Sequence, residues 1–133
     1  MFAALVAATA SALPSTLIAL ASGGDPLAAT IAAGSIVLPR ETRRTRLVAA
    51  AVPVHLALSL GWTALLAQTP PRRRPGLAGA TWGLAIAALD LGVIGRHFAR
   101  IRALPLLPQL ADHAVFGATA GWALARSPSV DTR

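Results

Sequence analysis

Residues 47–67, LVAAAVPVHLALSLGWTALLA, run for 21 positions with His55 as the only ionisable side chain. About 20 apolar residues in a helix cover the ~30 Å hydrocarbon core of a bilayer, so this stretch reads as one membrane span. Arg43, Arg44 and Arg46 stand just before it, and a segment rich in Pro and Arg follows it. The stretches 2–21 and 77–94 have the same apolar character. The expected fold class is therefore all-α, a transmembrane helical bundle with lipid as the solvent for most of its surface.

Outward from this span, the pattern gives four spans and one short helix. The first span, 2–21, contains Pro14-Ser15-Thr16, which predicts a kink whose freed carbonyls are met by hydroxyls or neighbouring helices. Ala19-Leu20-Ala21 before Ser22 resembles a signal cleavage site. No basic n-region precedes it, and the apolar stretch is longer than a usual h-region, so 2–21 is read as a retained span. Asp25-Pro26 is a helix start, with Asp25 as N-cap and Pro26 at the first helical position. The helix expected there, 27–38, covers roughly 18 Å and is read as interfacial or re-entrant, with a short span as the alternative. Pro39 to Arg46 is a basic loop. Beyond residue 67, the loop 68–76 carries Pro70, Pro71, Pro75 and three consecutive Arg residues. Span 77–94 leads into the basic stretch 95–102, where Arg96 and Arg100 share one side if the segment is helical. The last span, about 106–125, begins between Pro105 and Pro108 and carries Gln109, Asp112 and His113 near its start. Residues 1–126 form one integral membrane domain, and 127–133 a polar tail.

Composition narrows the function. With 133 residues and only 13% of them charged, four spans leave no room for a soluble domain. Cysteine is absent, which removes disulfides and thiolate-held metals. All twelve basic residues are Arg, and the net charge of +7 sits in the loops. Seven Arg fall on the side of the 39–46 and 95–102 loops, and five on the other. The positive-inside rule makes the seven-Arg side cytoplasmic. Arg43, Arg44, Arg46, Arg96, Arg100 and Arg102 flank apolar spans, so they are expected to set orientation and meet anionic lipid headgroups, not nucleic acid. No HExxH, GxSxG, GxGxxG or phosphate-binding glycine loop occurs, so no enzyme, metal or cofactor is expected.

The candidate site lies where polar residues meet the membrane. Gly79, Gly83, Ala87 and Asp90 share a helical face, as do His113, Gly117 and Gly121, and as do His55, Ser59 and Thr63. The glycines are expected to pack helices closely. His55, Asp90 and His113 lie at similar distances from the seven-Arg side, and Ser15 and Thr16 join that level if the N-terminus is external. The expectation is an intramembrane cluster with an Asp90–His113 or Asp90–His55 hydrogen bond. Such a bond serves as a fastener, as a proton relay, or, through His55 and His113, as part of a haem site. Asp112 points about 100° away from His113 and is read as a helix-start residue. Trp62, Trp82 and Trp122 sit toward the opposite ends of their spans, and each is read as part of an aromatic belt or as helix packing rather than as a ligand cage.

Two stretches carry a resemblance. Pro14-Ser15-Thr16 with Gly24-Asp25-Pro26-Leu27 is one; Leu89-Asp90-Leu91-Gly92 through Leu107-Pro108-Gln109-Leu110-Ala111-Asp112-His113 to Gly117 is the other. Over about a third of the chain these resemble a group of small bacterial multi-pass integral membrane proteins without assigned activity. The resemblance implies a whole small protein rather than a fragment, and no particular chemistry. The expected location is the bacterial plasma membrane. The expected role is a structural or accessory subunit, acting as a homo-oligomer or within a larger membrane complex. The alternative is a proton-coupled small-solute transporter with Asp90 as the carrier.

Overall fold

The structure, a computed structural model, describes residues 1–68 and 73–126, and the tail 127–133 lies outside the described residues. Among the described residues there are helices and turns but no strand. The helices are α1 (Phe2–Ser11), α2 (Leu13–Ala21), α3 (Ala28–Gly34), α4 (Arg44–Gln68), α5 (Pro75–Leu89), α6 (Ala99–Arg102) and α7 (Leu106–Arg126). Three helical stretches are long and apolar enough to cross a membrane: Phe2–Ala21, Arg44–Gln68 and Pro75–His97, of 20, 25 and 23 residues. The stretch 106–125, expected as a span of the same kind, is helical but falls outside this group, because Gln109, Asp112 and His113 lower its hydropathy.

α7 is the hub. It packs against α5 along most of its length, and also against α1, α2 and, less closely, α4. The α5–α7 contact is backbone on backbone. A Cβ on Gly117 would lie 2.7 Å from the Gly83 amide nitrogen, and a Cβ on Gly83 would lie 2.8 Å from the carbonyl carbon of His113. Small residues let two helices approach closely where lipid supplies no hydrophobic drive for association. α1 lays the small face Ala3, Ala4, Ala7, Ala8 and Ser11 inward. Ala7, Leu66, Ile86, Phe116 and Ala120 form the buried cluster, with Trp62 and Leu124 against it. Outside it, Leu17, Leu20, Leu60, Leu77, Leu84 and Val93 are among the large apolar side chains left exposed. In water that surface would be a liability; in hydrocarbon it is the solvent-matched face.

The first span breaks at Ala12 rather than at Pro14, because Pro14 lies in the first turn of the new helix α2. Proline tolerates that position, where its missing N–H has no helical partner to lose. The short helix is corrected to seven residues, Ala28–Gly34, in place of 27–38. Turns follow it, since Leu38 precedes Pro39 and the residue before a proline disfavours the α region. Asp25 does not cap α3 directly. Its Oδ1 accepts the Leu27 N–H at 2.9 Å in a turn, and Leu27 is the N-cap. At roughly 10 Å, α3 cannot cross a bilayer. It covers Leu47 and Ala51 at the start of α4, with Gly34 against the Leu47 backbone.

Span 77–94 is also revised. α5 ends at Leu89, a wider π turn takes Asp90–Ile94, and a 3-10 turn takes Gly95–His97. Phe98 is extended (φ −115°, ψ 112°), so Arg96 and Arg100 do not share one continuous helix face.

At the Arg-rich end, Asp25 takes a two-point ion pair from Arg44. The Arg44 guanidinium, with the Leu27 N–H second, holds the Asp25 carboxyl below its ordinary value of 3.8. The pair therefore contributes above about pH 3.8 and is lost as pH falls through the lowered folded value. A carbon-detected NMR titration is expected to place the Asp25 midpoint below 3.8, and Arg44→Gln to move it back up. An unchanged midpoint in Arg44→Gln would show that the pair does not form in solution.

Candidate functional site

The break at Ala12 organises the polar groups within the apolar helices. The Ala12 N–H turns to the Ala10 carbonyl, which deprives the Ala8 carbonyl of its helical donor. Ala8 O is met instead by the Ser11 hydroxyl at 3.0 Å and by His55 Nε2, also at 3.0 Å. On the other side of the break, the Ser15 N–H belongs to the first turn of α2 and has no carbonyl one turn back. It donates to Asp112 Oδ1 of α7 at 2.9 Å. Ala12, the N-cap of α2, has no side chain able to do this. Asp112 is thus an N-cap supplied from another helix, placing an acceptor and a negative charge at a helix N-terminus. This corrects its reading as a helix-start residue for its own span. Asp112→Ala should cost about 1 kcal/mol, the usual worth of such a cap, and Asp112→Asn much less. Unfolding in detergent checks the energy, and faster hydrogen exchange at Ser15 checks the site.

The second group is built on Asp90, at the first position of the π turn. That turn closes through the Gly95 N–H on the Asp90 carbonyl, and a Cβ at Gly95 would lie 2.7 Å from that oxygen. Asp90 Oδ2 accepts the Trp62 indole N–H at 3.2 Å. His113 Nε2 lies 3.5 Å from the same oxygen, both side chains being largely covered at 19% and 17% exposure. α5 and α7 run antiparallel, and each Cβ leans toward its own N-terminus, so the two side chains converge although their Cα positions are offset. His113 Nδ1 lies 2.8 Å from the Gln109 carbonyl oxygen. A carbonyl only accepts, so Nδ1 carries a proton. A neutral ring would then present a lone pair to the carboxylate. A proton on Nε2 would turn this 3.5 Å approach into a hydrogen bond to the carboxylate.

The expected cluster is thus divided. Asp90 and His113 meet; His55 does not join them but serves the broken helix α1. Of the two readings for Trp62, belt or helix packing, the structure shows packing: the ring lies against the buried cluster and its indole reaches Asp90. Trp N–H is donor-only and sits on a long arm, which suits it to a largely covered carboxylate. Trp82 and Trp122 stay exposed. Ser59 and Thr63 are buried on the inner face of α4, and Thr63 Oγ1 has no partner. Thr63 borders a cavity of about 310 Å³ between Phe2, Leu60, Ala64 and Leu124 that does not reach Asp90 or His113. Gly79, Gly83, Gly117 and Gly121 are all buried.

With Nδ1 on Gln109 and Nε2 on Asp90, His113 offers no free nitrogen as an axial haem ligand, and His55 Nε2 is also taken. Among the described residues no group of three His, Cys, Asp or Glu could hold a metal ion. The basic residues divide as well. Arg44 pairs with Asp25 and Arg46 with Glu41, whereas Arg100 is half-buried and donates to the Glu41 carbonyl at 2.9 Å. Arg100 therefore ties the 95–102 segment to the 39–46 loop instead of facing lipid alone. Arg43, Arg96 and Arg102 are exposed. Two signals could have located the missed groups. A proline inside a span announces orphan backbone groups that need partners, and an intramembrane carboxylate calls for a donor such as an indole. No known protein family, curated protein or solved structure matches the chain.

Proposed function

We propose that the chain is a four-span structural or accessory protein of a bacterial plasma membrane, without enzymatic activity of its own. Three spans follow from length and hydropathy. α7 is read as the fourth. Its 21 residues reach about 31 Å, and its polar face is covered by α1, α2 and α5, so it needs less apolar surface than a lipid-facing helix. The 39–46 and 95–102 loops meet at one end, which the positive-inside rule makes cytoplasmic. Self-association, or docking beside a larger membrane complex, has an uncovered face available on α4, where a Cβ at Gly61 would meet nothing within 4 Å. Lipid and such partners are the expected contacts, with no nucleic acid.

The observation that carries the structural reading is that the intramembrane ionisable groups are spent on the protein itself. His55 and Asp112 repair the Ala12 break, and Asp90 joins α4, α5 and α7. The alternative, a proton-coupled transporter, is supported by the close approach of the His113 ring to the Asp90 carboxylate within the bundle. Asp90→Leu and Asp90→Asn, unfolded in detergent at pH 5 and pH 8, separate the two. Asn can still accept from Trp62 and donate to His113. A fastener predicts a loss of about 0.6 kcal/mol or less for Asn, the average worth of such bonds, and about 1–2 kcal/mol for Leu. If Leu leaves stability unchanged or raised, the carboxylate is being kept at a cost, and proton-driven flux in proteoliposomes becomes the expected activity.

A further inference from the structure

The chain has five acidic residues: Asp25, Glu41, Asp90, Asp112 and Asp131. Asp90 and Asp112 lie inside the bundle, and Asp131 belongs to the tail. At the Arg-rich end that leaves Asp25 and Glu41, which are taken by Arg44 and Arg46. Arg96 and Arg102 have no carboxylate among the described residues, yet the fold brings them together. Arg102 Nη1 donates to the Arg96 carbonyl at 3.3 Å, and Arg96 Nε lies 3.4 Å from His97 Nε2. The Arg102 guanidinium thus lies at the Arg96 backbone, and the Arg96 guanidinium beside His97, a corner with no acid paired to either among the described residues. Arg100 Nη1, on the same segment, is buried without a partner. Exposed apolar side chains flank the corner on both sides, Val93 and Ile94 before it and Leu106 and Leu107 after it.

We infer that this corner is a binding site for an anionic phospholipid. Its phosphate lies between the guanidinium groups of Arg96 and Arg102, and its acyl chains lie on Val93, Ile94, Leu106 and Leu107. Guanidinium forks match phosphate oxygens in geometry as well as charge. The inference rests on the membrane reading of the chain and sets two pairs of arginines apart. Arg44 and Arg46 are neutralised within the protein, although Arg44 borders an apolar groove with Val48 and Val52. Arg96 and Arg102 are left for lipid.

The test is equilibrium binding of fluorescent phosphatidylglycerol to the purified full chain in neutral detergent. Competitors are unlabelled phosphatidylglycerol, phosphatidylcholine and inorganic phosphate. Arg96→Gln and Arg102→Gln should each weaken binding about fivefold, and together about 25-fold, the effect of removing interfacial positive charges. Arg96→Lys, which keeps the charge but loses the fork, should weaken binding less than Arg96→Gln does and controls for misfolding. Arg44→Gln and Arg46→Gln should leave affinity unchanged. Equal competition by phosphatidylcholine, or equal loss in Arg44→Gln, overturns the site. Competition by inorganic phosphate at the lipid's own concentration makes it a site for free phosphate and overturns the lipid assignment. Release of the chain from native membranes by alkaline carbonate overturns the membrane reading itself, and so is distinguishable from failure of the site alone.

Discussion

Gly117→Ala is expected to lower stability by about 1–3 kcal/mol, the usual cost of forcing an extra methyl into a packed interface. The added Cβ would lie 2.7 Å from the Gly83 amide nitrogen and 2.8 Å from the Gly83 Cα. Both atoms are backbone, so no rotamer change can relieve the contact; α5 must move off α7. That motion also loosens the Asp90–His113 pair, since Asp90 follows α5 and His113 lies on α7. Gly61→Ala is the matched control. Its Cβ meets nothing within 4 Å, and alanine is the better helix former by up to about 1 kcal/mol. Unfolding in detergent should move in opposite directions for the two variants. Equal, small effects would mean that α5 and α7 are not in backbone contact.

Gly34→Ala is expected to detach α3 while sparing the rest of the bundle. A Cβ there would lie 2.7 Å from the Leu47 carbonyl carbon and 3.0 Å from its Cα. α3 is only seven residues long and is held mainly by its packing on α4, with the Asp25–Arg44 pair and a smaller contact with α6 beside it. Lifting it uncovers Leu47 and Ala51, now 1% and 3% exposed. A cost of about 1–3 kcal/mol, confined to this corner, should appear as faster hydrogen exchange in 28–34 with α5 and α7 unchanged. If exchange in 28–34 stays slow, the Gly34–Leu47 approach is looser than the structure has it.

Gly34 shows where sequence reasoning stopped. It sits in an Ala-rich stretch and repeats at no helical spacing with another glycine, so nothing in one dimension marks it as a contact. Gly79, Gly83 and Gly117 could be singled out because their spacing of four defines a face. Asp112 illustrates the opposite difficulty. Its role depends on a backbone N–H of Ser15, 97 positions away, that has no carbonyl partner only because α1 breaks at Ala12. Pro14 signalled a break, but the position of the break and the helix that repairs it depend on which elements lie alongside.

Long apolar runs, the absence of acid outside a few positions, and the Arg-rich flanks by themselves determine an all-helical chain with helices long and apolar enough to cross a membrane, because hydropathy and helix rise are additive along the chain. The tertiary structure decided that α7 is the hub, that His55 serves the broken helix and not Asp90, and that Trp62 reaches the carboxylate. It also decided which arginines are already paired. Those outcomes depend on crossing geometry and on hydrogen bonds a few ångströms long between residues tens of positions apart. Away from water each polar group must find a partner inside the protein, and only the packed arrangement of helices determines which partner is within reach.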